Sequence, residues 1–214
     1  MLQRTIPALC IAAMFVAAVV FPARAERTSA PDPKFALAGP ALLKALRAGG
    51  LTLYFRHTAT DFSQNDTRMT TYDACDTQRN LSEEGRRQAR AIGESIRALK
   101  LPVGEVIASP FCRTMETAKL AFGRATPSSV ARGYEGAAPE RIDYAPLAAL
   151  LAKPVKAGEL RVIASHGNPF RAVAGPPHLE EGECAVLRPL GNDYAVVARL
   201  KRDDWATLGA LTPR

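Results

Sequence analysis

The residues with the most chemistry in them stand at the ends of two apolar runs. Leu51-Thr52-Leu53-Tyr54-Phe55 leads directly into Arg56-His57, and Leu160-Arg161-Val162-Ile163-Ala164-Ser165 leads into His166-Gly167. The chain has 3 histidines, so two of them in equivalent places is more particular than either alone. An apolar run that breaks abruptly into polar residues predicts a buried strand delivering side chains at its carboxyl edge. In open α/β sheets that edge is where ligands bind. A third run, Val103–Ala108, is followed by Ser109-Pro110-Phe111-Cys112-Arg113. The Ser-Pro break ahead of helix formers places Arg113 in a helix first turn, where backbone N–H groups favour an anion. Arg56, His57, Arg113 and His166 converging on one crevice would repel one another unless an anion completed them. A phosphoryl group does so, because its three equatorial oxygens accept charge-assisted hydrogen bonds. The same positive field disfavours imidazolium, and a neutral imidazole can attack phosphorus.

These side chains need an alternating α/β frame, and the pattern supplies one. Leu42, Leu43 and Leu46 mark a helix stopped by Gly49-Gly50, directly before the first strand. Residues 61–80 form a polar loop, long for a structureless connection and of the size that is commonly functional. Ser82 then caps a helix whose buried stripe is Gly85, Ala89, Ile92, Ile96 and Leu99. Beyond the 103–108 strand and the helix carrying Arg113, residues 123–140 read as irregular and residues 143–152 as helical. An acid-rich loop, 175–183, precedes two strands, Cys184–Leu187 and Tyr194–Leu200, joined at Gly191-Asn192-Asp193 as a hairpin. The tail from Asp203 carries the only Trp and reads as a short helix against the sheet. The chain shows no internal repeat, metal-ligand cluster, Walker loop or dinucleotide fingerprint, so one domain over 35–214 without cofactor or metal is expected.

The start of the chain reads differently. Arg4 precedes an apolar run from Ile6 to Phe21 that holds Cys10, and Ala23-Arg24-Ala25 follows as a small-x-small cleavage pattern. Residues 1–25 are therefore expected to be a secretory signal peptide and residues 26–34 a flexible leader, giving a periplasmic or secreted protein with no stable membrane span after cleavage. Losing Arg4 and Arg24 takes the formal charge from +7 to +5. That balance suits anionic substrates, while the absence of an arginine-rich run or aromatic ladder argues against nucleic acid. Cys75, Cys112 and Cys184 remain in the mature chain. Export is the setting in which thiols pair. Cys75 and Cys112 sit in polar loop segments and Cys184 opens an apolar run, so a Cys75–Cys112 disulfide with Cys184 free is expected.

Taken together, the motifs resemble the histidine phosphatase superfamily, the phosphoglycerate-mutase-like fold. Arg56-His57-Thr58 is similar to its Arg-His-Gly motif, with Thr60 where Ser or Thr is common. Ser109-Pro110-x-x-Arg113-Thr114-x-x-Thr117-Ala118, Leu81-Ser82-x-x-Gly85 and Ser165-His166-Gly167 follow in the family's order. The resemblance implies a three-layer α/β/α sandwich with a mostly parallel sheet and an antiparallel edge strand. It implies His57 as a nucleophile forming a phosphohistidine, with Arg56, Thr60, Arg113 and His166 holding the phosphate of a small phosphorylated substrate. Thr58 departs from the usual Gly, adding bulk at the pocket floor. The segment between Arg113 and His166 is too short for the mutases' helical insertion, which favours a compact, metal-independent phosphomonoesterase. A carboxylic acid must protonate the leaving group. Glu183, at the start of the antiparallel strand, is the first choice, with Glu181 and Glu135 as alternatives. The cysteine contexts resemble exported proteins related to lipopolysaccharide core heptose phosphate phosphatases, which adds phosphosugars and lipopolysaccharide core to the candidate substrates. The rival reading keeps the arginine pocket without a competent acid, as a non-catalytic phosphate or phosphosugar binding protein.

Overall fold

The computed structural model describes residues 27–132 and 143–210. Its centre is one six-stranded sheet of β1 (Leu51–Arg56), β2 (Val103–Ala108), β3 (Thr126–Pro127), β4 (Leu160–Ser165), β5 (Cys184–Pro189) and β6 (Tyr194–Leu200), in the order β3-β2-β4-β1-β5-β6. β1 through β4 run parallel, while β5 is antiparallel to both β1 and β6. The antiparallel strand thus lies one place in from the edge, which the hairpin return places at β6.

Alternation along β1 explains the layers, since successive side chains of a strand point to opposite faces. Leu51, Leu53 and Phe55 join one apolar cluster with α1 (Gly39–Ala48), α2 (Glu83–Ala98), the Ala118 side of α3 (Cys112–Phe122) and, through Trp205, the tail helix. Tyr54 points the other way, into a cluster with Leu147 and Leu151 of α4 (Ala145–Ala152) and Phe170 of α5 (Gly167–Ala174). The tail helix is α6 (Asp204–Ala210). Both faces of the sheet are covered, and every residue of β4 is buried.

Gly167-Asn168-Pro169, to which no element was assigned from the sequence, opens α5, with His166 as its N-cap residue; proline is tolerated in a first turn, whose N–H groups have no intrahelical partner. Residues 27–34, expected as a flexible leader, are instead fastened to the sheet. The Ser29 amide donates to Pro176 O at 2.8 Å and the Asp32 amide to Val196 O at 2.8 Å. The edge of β6 offers the Val196 carbonyl, the loop before β5 offers that of Pro176, and a covering segment satisfies both. The expected disulfide is present, Cys75 to Cys112 with Cα atoms 5.7 Å apart, and Cys184 is a buried free thiol. The apolar run from Ile6 to Phe21, its cleavage pattern and Glu135 lie outside the described residues. Among those described, no helix is long and apolar enough to cross a membrane.

Candidate active site

Three strand ends are brought level by the sheet register. Arg56 pairs with Ser165 and Ala108 with Ala164. The His57 amide donates to Ser165 O at 2.9 Å and the Ser109 amide to Ala164 O at 2.9 Å, extending the ladders one residue into the crevice. The spacing of the Ser109–Thr117 segment now has a physical cause. The Thr114 hydroxyl donates to Ser109 O and Phe111 O, both at 2.7 Å, which ties the strand exit to the helix start. The Thr117 hydroxyl donates to Arg113 O at 2.7 Å and lies 3.3 Å from the Thr58 amide. Helix α3 is thereby fixed against the residue after His57. On the other side of that loop, Ser82 Oγ accepts from the Gly85 amide at 3.0 Å, and a Cβ on Gly85 would stand 1.9 Å from Ala59 O. Gly167 serves a similar end, since a Cβ there would stand 1.7 Å from the His178 ring.

Within this frame the ring centroids of His57 and His166 are 5.5 Å apart and inclined at 70°. His57 Nδ1 lies 2.9 Å from Thr58 O. A carbonyl only accepts, so Nδ1 carries the proton and Nε2 keeps a lone pair. His166 Nε2 lies 2.9 Å from Ser109 Oγ. Arg56 donates through Nη1 to Leu179 O at 2.8 Å, and Arg113 through Nη1 to Asp66 Oδ1 at 3.0 Å and Arg79 O at 3.1 Å. The Nε atoms of both arginines are buried without a partner among the described residues. All four side chains line one crevice of about 240 Å³. Three roomier surface grooves, of about 280, 410 and 580 Å³, contain no histidine.

Burial lowers the His57 pKa from its ordinary 6.5 to about 3, with Arg113, Arg56 and Arg79 adding to the effect. His166 is driven well below its ordinary value by burial and then by Arg113, His57 and Arg132. Burial also lowers the Arg113 pKa, against the pull of Asp66. The site is thus two neutral imidazoles among guanidinium groups, one of which is paired with the Asp66 carboxylate.

Of the sequence-derived candidates, Arg56, His57, Arg113 and His166 come together. Thr60 does not join them; it is buried behind His57, donating to Glu181 Oε1 at 2.9 Å. Glu183 is a correction. Its backbone abuts the site, accepting from the Arg56 amide at 3.0 Å, but its carboxylate is held by Arg199 in a fork of 2.6 and 2.7 Å. A carboxylate in such a fork is not poised to give up a proton. Glu181 lies on the Nδ1 side of His57, with Oε1 3.9 Å from that nitrogen and 3.5 Å from Arg56 Nη2. The crevice is instead lined by a carboxylate the sequence reading passed over, Asp66, and by Arg79 and Arg132. Asp66 and Arg79 come from the long 61–80 loop, whose length was the available signal. His178 also lines the crevice, its Nε2 3.0 Å from Asn168 Oδ1; being the third of so few histidines was its only mark.

Comparison with known proteins agrees with this geometry. Residues 53–131 match the model of the histidine phosphatase superfamily (branch 1). No curated protein sequence matches the chain. The protein histidine phosphatase SixA, solved in complex with tungstate, superposes with a TM-score of 0.52 at 14% identity, over 72% of this chain and 98% of that one. A phosphoserine phosphatase mutant from Entamoeba histolytica, in complex with phosphoserine, does so with a TM-score of 0.50 at 12% identity, over 71% and 97%. At such identities these two likenesses speak for the fold, and the segment matched by the family model holds most of β1, His57, the Ser82 cap and Arg113. Over residues 53–131 the chain is similar to the histidine phosphatase superfamily, and its fold is the one seen in SixA.

Proposed function

We propose that this protein is an exported phosphomonoesterase that works through a phosphohistidine on His57 without a metal ion. The observation that carries the reading is the unprotonated Nε2 of His57 facing a crevice shared with His166, Arg56 and Arg113. In the first step the Nε2 lone pair forms a bond to phosphorus as the ester P–O bond breaks, and the leaving alkoxide takes a proton. In the second, water attacks phosphorus, the N–P bond breaks, a proton leaves the water and inorganic phosphate departs. The guanidiniums and His166 stabilise the charge spread over the equatorial oxygens in both steps.

Asp66 is the proton donor and acceptor of this scheme, the one carboxyl among the described lining residues. Although burial opposes it, the Arg79 amide and Arg113 hold Asp66 below its ordinary value in the free protein. A phosphate dianion arriving on Arg113 competes for that guanidinium and sets like charge beside the carboxylate, which raises its pKa and draws a proton onto it. Export is supported by the apolar run and cleavage pattern at the chain start and by a disulfide suited to an oxidising compartment. The substrate is a small phosphorylated molecule, with phosphosugars and the lipopolysaccharide core as the candidates that the cysteine contexts bring in.

The test is hydrolysis of p-nitrophenyl phosphate by the mature protein in excess EDTA, with and without His57→Ala. Turnover that survives the chelator and vanishes in the variant supports the enzyme. Tight phosphate binding without turnover would make the chain a binding protein on the same fold, and activity that persists without His57 would end the mechanism.

A further inference from the structure

The crevice gathers more arginines than a single phosphoryl group needs. On the proposed mechanism Arg56, Arg113 and His166 hold the transferring phosphoryl group while His57 attacks it. Arg79 and Arg132 line the same crevice. Elsewhere the protein satisfies its half-buried guanidiniums with care. Arg161 meets Glu105 and the carbonyls of Leu150, Lys153 and Pro154, Arg199 is forked onto Glu183, and Arg86 meets Glu116 at 2.7 Å. Arg79 and Arg132 differ. Among the described residues neither guanidinium has a carboxylate partner, and the Nε of each, like those of Arg56 and Arg113, is buried without a hydrogen bond. Buried donors left unpaired are costly, and a protein tolerates them where a ligand will satisfy them.

Their placement is also built. The Arg132 guanidinium carbon lies 5.3 Å from the Phe111 ring centroid, and that of Arg113 lies 4.4 Å from the same ring. The Arg79 guanidinium lies 4.8 Å from the ring of Phe62, and the Arg79 backbone binds the Arg113 and Asp66 side chains. A guanidinium stacked on an aromatic face keeps its N–H edge free for an anion. The acids nearby are engaged elsewhere: Asp66 with Arg113 and the Arg79 amide, Glu181 with Thr60 and Arg56.

We propose that the substrate carries a second anionic group, carboxylate or phosphate, which Arg79 and Arg132 bind beside the phosphoryl pocket. The proposal rests on the phosphatase reading and narrows its substrate class to doubly anionic phosphate esters. The experiment uses three compounds on one carbon frame: glycerol 1-phosphate, 3-phosphoglycerate and glycerol 1,3-bisphosphate. The first has no second charge, the second has a carboxylate and the third a second phosphate, so the series also says which anion is preferred. The wild type should favour one or both doubly charged esters in kcat/KM, through KM. Arg79→Gln and Arg132→Gln should each reduce that ratio by roughly tenfold or more, the worth of a hydrogen bond to a charged group. The melting temperature of each variant reports whether it is folded, and Arg79→Lys and Arg132→Lys should restore part of the ratio. Equal kcat/KM values across the series, or variants that lose all three substrates by one factor, would overturn the proposal. Turnover of none of the three by wild type counts against the phosphatase reading instead; binding of the same compounds to His57→Ala, followed by calorimetry, then tests the second subsite separately, and equal affinities would overturn it.

Discussion

His57 donates from Nδ1 to a backbone carbonyl, so its other nitrogen is committed to the crevice, and burial among guanidiniums keeps it unprotonated far into acid. With the pKa lowered to about 3, kcat/KM for an aryl phosphate, corrected for ionisation of the substrate, should lose its acid limb near pH 3 rather than near 6.5. A limb near 6.5 would mean an imidazole titrating as in water. Asp66 carries a second prediction at this scale. Asp66→Asn should lower turnover of glycerol 1-phosphate by about a hundredfold or more and that of p-nitrophenyl phosphate far less, since a nitrophenolate leaves without a proton. Equal losses on both would make the residue a structural partner of Arg113. The tetrad of Arg56, His57, Arg113 and His166 was legible because each follows a strand that apolar periodicity marks. Asp66, Arg79 and Arg132 were not, because they enter from loops, where no periodicity says which way a side chain faces. Glu183 misled for a related reason: its strand was read correctly, but the partner that occupies its carboxylate, Arg199, comes from the neighbouring strand.

At the scale of elements, the long 61–80 loop holds its position through a short set of attachments to the start of α3. Cys75 is bonded to Cys112, the Cys112 amide donates to Gln78 Oε1 at 3.0 Å, and Arg113 reaches back to Arg79 O. The cross-link adjoins Arg113 of the crevice in sequence and fixes the loop that brings Asp66 and Arg79. Closing a sequence separation of 37 residues is worth about 4 kcal/mol by the chain-entropy account. Reduction, or the paired Cys75→Ser and Cys112→Ser change, should lower the urea midpoint correspondingly and raise KM for an aryl phosphate more than it lowers kcat. Unchanged KM in the reduced protein would show that the loop holds itself. The order of helices and strands was readable from caps, stripes and glycine stops. Helix α5 was not, since Gly-Asn-Pro at its start has the composition of a turn and only the packing of Phe170 and Val173 under the sheet makes it helical.

For the molecule as a whole, the two buried imidazoles set a dependence of stability on pH. The folded protein holds both neutral, whereas the unfolded chain protonates them below about pH 6.5. The unfolded state therefore takes up protons on acidification, and stability should be full above pH 6.5 and decline from there toward pH 3. Urea midpoints measured at pH 7 and pH 5 should fall less in His57→Asn than in the wild type, while equal falls would place the acid sensitivity elsewhere.

The segment laid along β6 has a further implication. Ser29 sits between the Pro176 and Pro177 carbonyls and the Arg199 guanidinium that also grips Glu183, so the front of the chain leans on the loop leading to His178 and Arg56. Under the proposed export, maturation and the crevice are mechanically joined: the residues after the cleavage pattern brace the crevice wall through Ser29, and a cut made past Ser29 would yield a domain with its sheet intact and its pocket slack.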